Sequence, residues 1–407
     1  MTFKKYKVRL FPTKDQEKMF WKHIHACRWM WNYAIRLNID NHIKTDKFLN
    51  RYDYSKIITK LKENEKFNWI ADVSVHLLYR VCDNVWSSYS RYLHKKAKLP
   101  GFKSRKTAKN SFPVRSSNNA TYFISDSLIR IPKCGKIKCR IDYRKENIGH
   151  SILRLYDPYI KHTANGKWIL TFSSEIENQD FVMNENGPLG IDMGIKEAAT
   201  YSYEDLNGNI HTDVVHNINK SKTIKDLDRK ITHIHRNISR KVLMAKKLGY
   251  DWNSSKRYQK ELKRFRKLLY HRSNIIKDEY DKITSHIIYN IRPSIIWLED
   301  LDIEAMRKIK HLSKEISDAN WGLFRRMLEY KGEYFGIPVL YVPKRYPSSQ
   351  LCSCCGFKQK MPLSKRVYEC PNCGMKLDRD VNASMNLMYY KDYRNEDSFT
   401  IYLDKHV

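Results

Sequence analysis

The chain has 407 residues, with 76 Lys and Arg against 44 Asp and Glu, a formal charge of +32 at pH 7. At about 100–200 residues per domain, this length accommodates two to four domains, and a composition that is 42% hydrophobic and 13% aromatic excludes wholesale disorder. No apolar run of membrane-spanning length occurs, and the opening MTFKKYKVRLFP lacks the apolar core of a secretory signal, so a soluble, cytoplasmic protein without a membrane partner is expected. Self-repulsion at this charge opposes compaction unless a polyanion shares the surface, and nucleic acid is the expected polyanion.

Along the chain, Lys5 to Leu10 alternate, with Tyr6, Val8 and Leu10 on one face, and Pro12 ends the run, which predicts a first strand. Thr13 and Gln16 then fit a capping box, and Phe20, Ile24, Cys27, Trp31 and Ile35 recur at helical spacing to about Leu37. Trp31 on that stripe reads as core. Further helix is expected between Tyr54 and Lys98. The segment Lys95–Arg115 carries eight basic residues and no acid, broken by Pro, Gly and Ser, with Phe102 and Phe112 interleaved; a nucleic-acid-contacting loop is expected there. Strand-like runs follow at Thr121–Ile131, Ser151–Ile160 and Lys167–Ser173, the last two joined by an Asn165-Gly166 turn.

A second domain opens at Gly187, where GPLGIDMGIKEAATYSYEDLNGNI predicts a buried strand, a second strand and a hairpin turn at Asn207-Gly208. From Thr223 to Asn290 two long basic helices are predicted, separated near Gly249–Ser255. In the second, Tyr258, Leu262, Phe265, Leu269, Ile276, Tyr280, Ile283 and Ile287 form an apolar stripe opposite Lys256, Arg257, Lys260, Lys263, Arg264 and Lys267, a face able to track a phosphate backbone. Then come the apolar run SIIWLED, a helix around Ala319–Gly332, a strand at Ile337–Val342, and a last helix beginning near Asp378. The segment after Tyr393 has weak pattern and is expected to be poorly ordered.

Five of the nine cysteines fall between Cys352 and Cys373. Cys352 and Cys355, then Cys370 and Cys373, form two CxxC knuckles at zinc-ribbon spacing, each followed by a glycine that permits the turn. A closed four-sulfur Zn²⁺ site is predicted, with Cys354 as a bystander. Cys134 and Cys139 lie in a strand-like basic stretch and are expected to bind no metal.

In a chain this basic, acids that end apolar strands are informative, because an isolated carboxylate there is costly unless a cation accepts its charge. Asp192 lies within GIDMG, Glu299 ends SIIWLED, and Asp380 opens the final helix. Asp–Glu–Asp on a first strand, a fourth strand and a late helix is the layout of ribonuclease-H-like folds, in which the acids hold two Mg²⁺ about 4 Å apart. Asp378 is the rival for the last position, or a helix cap; Asp300 reads as a supporting residue.

Together with the ribbon, GIDMGIKEAAT, IIWLEDL and CPNCGMKLDRDVNASMNL resemble the RuvC-like core of the transposon-encoded TnpB family, relatives of type V CRISPR effectors. YKVRLFPTKDQEKMFWKHIHACRWMWNYAI, LPGFKSRK, SDANWGLFRRMLEYK and PSSQLCSCCG extend the resemblance over most of the chain. It implies a multi-domain α/β protein: a β-barrel-like domain (1–12 and 116–186) with an inserted helical recognition block (13–115), then an RNase-H-like nuclease domain (187–345 and 376–395) with an inserted zinc ribbon (346–375), and a tail (396–407).

The activity it implies is RNA-guided cutting of DNA beside a short duplex motif, with Asp192, Glu299 and Asp380 as catalytic acids on two Mg²⁺ and a structural Zn²⁺ on Cys352, Cys355, Cys370 and Cys373. The partners would be a guide RNA from the transposon end, one protein per guide, and double- and single-stranded target DNA, in the nucleoid of a prokaryotic cell. The family usually has alanine where Ser384 stands, a change expected to spare catalysis. The alternatives are an RNA-guided repressor that no longer cuts, whose family counterparts lose active-site acids, and a non-enzymatic RNA-binding zinc protein.

Overall fold

The computed structural model describes residues 2–105, 109–116, 120–141, 154–176, 186–309, 312–344, 346–362 and 364–390. Parts of the predicted basic loop and of the Ser151–Ile160 run, and the segment after Tyr393, lie outside the described residues. The chain divides into two compact units, residues 1–177 and 178–407. No described helix is long and apolar enough to cross a membrane.

The first unit begins with β1 (Thr2–Phe11) and the long helix α1 (Lys14–Thr45). The capping box is present: Thr13 accepts from the Gln16 N–H while the Gln16 side chain accepts from the Thr13 N–H. Helices α2 (Arg51–Glu63) and α3 (Val75–Leu93) follow, then strands β2 (Ser111–Pro113), β3 (Tyr122–Ser125), β4 (Leu128–Ile131), β5 (Gly135–Arg140), β6 (Tyr156–His162) and β7 (Trp168–Ile176). The strands form one antiparallel sheet in the order β2-β6-β7-β1-β5-β4-β3. Because β2 and β3 are its two edges, the pairing among the described residues is that of an open sheet and not the barrel-like closure expected from the sequence.

One helix serves two cores. Phe20 and Ile24 of α1 pack on the sheet with Tyr6, Val8, Leu10, Leu170 and Phe172, whereas Met30, Trp31 and Ile35 pack with α2 and α3. Phe112 is 1% exposed and belongs to the sheet core, so it offers no ring to a nucleobase; Phe102 is 55% exposed, with the Arg36 guanidinium over its face. The difference is one of place: Phe112 sits in β2, and Phe102 in the loop.

The second unit contains β8 (Leu189–Asp192), β9 (Ala199–Glu204), β10 (Ile210–Val215), the helical pair α4 (Lys222–Lys247) and α5 (Lys256–His286), β11 (Ile296–Glu299), α6 (Ile303–Arg307), α7 (Ser313–Ala319), α8 (Trp321–Phe335), β12 (Val339–Val342), the hairpin β13 (Val367–Glu369) and β14 (Lys376–Asp378), and α9 (Arg379–Met388). The main sheet has the order β10-β9-β8-β11-β12, antiparallel from β10 to β8 and parallel from β8 through β11 to β12. Leu189, Ile191, Ile296 and Leu298 face a core built with α5 and α8. On the other face, Trp297 packs with Leu387 and Tyr390, at the end of α9.

The α5 stripe departs from the sequence expectation at one point. Leu268 packs inward and Leu269 is 41% exposed. Continuing by helical spacing from Leu268 reaches Arg272, which occupies the stripe as a part-buried hub: it donates to Asp228 of α4 at 2.7 Å, to Asp318 of α7 at 3.2 Å and to Asn219 at 3.1 Å. Lys256, Arg257, Lys260, Lys263, Arg264 and Lys267 are all exposed.

Candidate functional site

Strand register brings the first two acids together. Leu298 pairs with Ile191 in the parallel β8–β11 ladder, so Asp192 and Glu299 end neighbouring strands at the same level. Side chains alternate along a strand, so Asp192 shares the face of Gly190, and Glu299 that of Trp297, which is the α9 side. The carboxyl ends of adjacent parallel strands are where open α/β sheets place their sites.

The third acid arrives by close packing. A Cβ on Gly190 would lie 2.2 Å from the Met388 backbone nitrogen and 2.3 Å from the Ser384 carbonyl oxygen. Only glycine lets α9 approach β8 so closely, and this contact sets the helix that carries Asp380. The first glycine of GIDMG thus makes room for a helix backbone.

Asp192 feels the other acids. Burial pushes the Asp192 carboxyl up, and the charges of Glu299, Asp380 and Asp378 push it further, to about 8 against partial relief from Arg379. Burial also raises Glu299. Asp380 is part-exposed, with Arg379 at 3.5 Å and Arg366 at 3.9 Å from its carboxylate. Asp378 caps α9, accepting from the Asp380 and Val381 N–H groups. Asp300 turns to Arg325 at 3.5 Å and Lys344 at 3.9 Å. Carboxylates are the donor type that a hard cation takes, but the oxygens of these three are not gathered within 4.8 Å of one another.

Sequence reasoning missed Arg379. A cation in the first helical turn opposes the helix dipole; that anomaly, between Asp378 and Asp380, is the signal that could have found it. Ser384 is fully buried and bonds the Ser202 hydroxyl of β9 at 2.7 Å, while Ser202 meets Thr212 of β10 at 2.9 Å. The serine in this position therefore extends a hydroxyl chain into the sheet.

The second centre is local. The sulfurs of Cys352, Cys355, Cys370 and Cys373 all lie within 4.8 Å of one another, the one such group of potential ligands among the described residues. Cys352–Cys373 and Cys355–Cys370 sulfur distances are each 3.6 Å, close to the roughly 3.8 Å that tetrahedral Zn–S bonds of about 2.3 Å require. The knuckles repeat one geometry: Gly356 donates to the Cys352 carbonyl and Gly374 to that of Cys370, at 2.9 and 3.0 Å, both glycines having positive φ. The Asn372 amide and the Phe357 N–H hold the Cys355 thiol down to about 6, whereas Cys352 and Cys373 are held up. Cys354 is exposed and outside the group. The donor set fits zinc.

A mixed α/β chain with a four-cysteine cluster beside strand-end acids is similar in fold to solved type V effectors. It superposes on the protein of the "Cas12f1-sgRNA-target DNA complex" with a TM-score of 0.57 at 16% identity, covering 92% of this chain and 83% of that one. For the "mini-RNA-guided endonuclease CRISPR-Cas phi3" the TM-score is 0.55 at 12% identity, covering 95% and 92%.

Three family models match in succession: "Helix-turn-helix domain" over residues 1–47, "Probable transposase" over 171–310 and "Cas12f1-like, TNB domain" over 321–387. The first of these spans falls here on β1 and α1. Among curated relatives, "Putative RNA-guided DNA endonuclease InsQ" of Escherichia coli K12 is 25% identical over 94% of this chain and 91% of its own length. "TnpB-like protein L770" of Acanthamoeba polyphaga mimivirus is 25% identical over 94% and 72%. The chain is thus similar to TnpB-like proteins over nearly all of its length.

Proposed function

We propose that this protein is an RNA-guided DNA endonuclease of transposon origin, with its cutting centre at Asp192, Glu299 and Asp380. The observation that carries the reading is the approach of β8, β11 and α9, which brings the charges of Glu299 and Asp380 to bear on the buried Asp192 carboxyl. The β10-β9-β8-β11-β12 order, three antiparallel strands continued by two parallel ones, supports an RNase-H-like core.

Two Mg²⁺ held by these acids would supply charge neutralisation at a scissile phosphodiester and activation of water. The chain's own residues do the rest. Asp192 and Glu299 are fixed by strand register, so their geometry needs no loop closure. Arg379 stands close enough to Asp192 and Asp380 to meet a phosphate oxygen drawn to the same place. The exposed basic face of α5 and the Lys95–Arg115 loop suit phosphate contacts, while base pairing between guide and target supplies sequence specificity. Retention of all three acids favours cutting over the repressor alternative.

The test is to purify the full chain from its native host, sequence the RNA that comes with it, and challenge the complex with DNA matching its variable end. A discrete RNA ending in a guide segment, with Mg²⁺-dependent cutting of the matched DNA alone, is expected. Random cellular RNA, or tight binding of matched DNA that is never nicked, would overturn the reading.

A further inference from the structure

The helix that carries Asp380 is fastened to the first cysteine knuckle by a buried side chain. Asn382 is fully buried. Its Oδ1 accepts from the Ser353 N–H at 2.9 Å, and its Nδ2 donates to the Leu351 carbonyl at 2.7 Å. Those two groups flank Cys352, and Ser353 lies inside the CxxC turn. One helical turn later Asn386 donates to the Ser348 and Leu351 carbonyls at 2.7 and 2.8 Å. On the other side, β14 runs directly into α9, and the Arg379 N–H donates to the Arg366 carbonyl at 2.7 Å. Asp380 is thus held between the two legs of the cysteine module.

We propose that Asn382 is a positioning residue that couples metal occupancy of the Cys352–Cys355–Cys370–Cys373 site to the setting of Asp380, so that zinc loading and readiness of the carboxylate centre share one equilibrium. The physical basis is the clamp on Cys352. A metal fixes the Cys352–Cys355 turn and with it the Ser353 N–H. Without metal no bond ties the four sulfurs together, the turn is free to open, and the buried Asn382 amide loses partners it cannot replace with water. Coupling between sites is reciprocal, so weakening the clamp also weakens zinc retention. Asparagine is a poor residue for a helix interior because its side chain competes for backbone groups; here two of them, four residues apart, use that tendency to bond the neighbouring chain. The link to Asp380 rests on the nuclease reading above; the link between zinc and α9 does not.

The experiment compares full-length wild type, Asn382→Ala, and Leu227→Ala, a substitution in the core of the same unit far from the clamp in sequence. Three quantities are read: zinc release to a chromogenic chelator, amide hydrogen exchange of residues 379–383, and the Mg²⁺ concentration for half-maximal cutting. Asn382→Ala is expected to release zinc and exchange those amides about tenfold faster, as a coupling of ordinary size would give, and to need more Mg²⁺ at unchanged DNA affinity. Leu227→Ala should lower the melting temperature and leave all three unmoved. Should Asn382→Ala fold poorly, the wild type stripped of zinc provides the second arm, with faster exchange at 379–383 expected. Wild-type zinc release in Asn382→Ala, or exchange at 379–383 indifferent to zinc, would overturn the coupling. If the zinc and exchange effects hold but no protein cuts DNA, the nuclease reading falls and the coupling stands.

Discussion

The two centres of the second unit are built in opposite ways. The four cysteines fall within 22 residues, and two short turns of the same design bring their sulfurs together. The three acids are drawn from positions up to 188 residues apart, and their meeting depends on strand register, on a glycine with no room for a Cβ, and on a helix returning to the first strand. A soft-metal site can be written in local spacing, whereas the carboxylate centre is a property of the folded sheet. The first should survive changes in the sheet, and the second should not.

That contrast can be broken from either side. The largest effect is expected from Gly190→Val, whose Cβ alone would meet the α9 backbone at 2.2, 2.3 and 2.8 Å. It should cost about 3 kcal/mol or more by forcing α9 off β8, abolish cutting, and leave a zinc equivalent bound, checked by calorimetry and metal analysis. Cys370→Ser is the opposite probe: zinc content should fall well below one equivalent, the melting temperature should drop by several degrees, and the β8–β11 ladder should keep its slow amide exchange.

A smaller effect separates the centres by pH. In the folded chain without bound ions the Asp192 carboxyl is held up to about 8, against an ordinary value of 3.8 when unfolded. The folded state therefore binds the extra proton between those values, and stability falls as pH rises through that window. Asp192→Asn should melt higher than wild type at pH 8 in chelator, with a much smaller gap at pH 5, and added Mg²⁺ should narrow the gap at pH 8. The same gap at both pH values would mean that burial and the neighbouring acids do not hold the Asp192 carboxyl up. The smallest change expected is Ser384→Ala, about 1 kcal/mol, because Ser202 retains Thr212 at 2.9 Å; urea denaturation measures it.

The same contrast explains what the sequence disclosed. The knuckles, the Thr13 capping box and the Asn165-Gly166 turn are decided within a few residues, and each was legible. So were Asp192 and Glu299 as acids ending apolar strands, although nothing local revealed that Leu298 would pair with Ile191. Leu268, Leu269 and Phe112 show the limit: helical spacing admits either leucine, and α4 and α7 decide by supplying Asp228 and Asp318 to Arg272. Gly190 was visible as a small residue beside Asp192, but its reason, the backbone of α9, is 194 residues away in sequence at Ser384. Asn382 and Arg379 stood in the sequence as poor choices for a helix start, and their partners became visible only with the fold.

The most direct measurement is a side-by-side cutting assay on guide-matched DNA with wild type, Asp192→Ala, Glu299→Gln and Asp380→Ala, each loaded with the co-purifying RNA and checked for DNA binding. The account predicts Mg²⁺-dependent cutting by wild type alone, with binding retained in all four. Cutting at the wild-type rate by any variant would contradict the assignment of that carboxylate, and by all three would remove the centre from Asp192, Glu299 and Asp380 altogether.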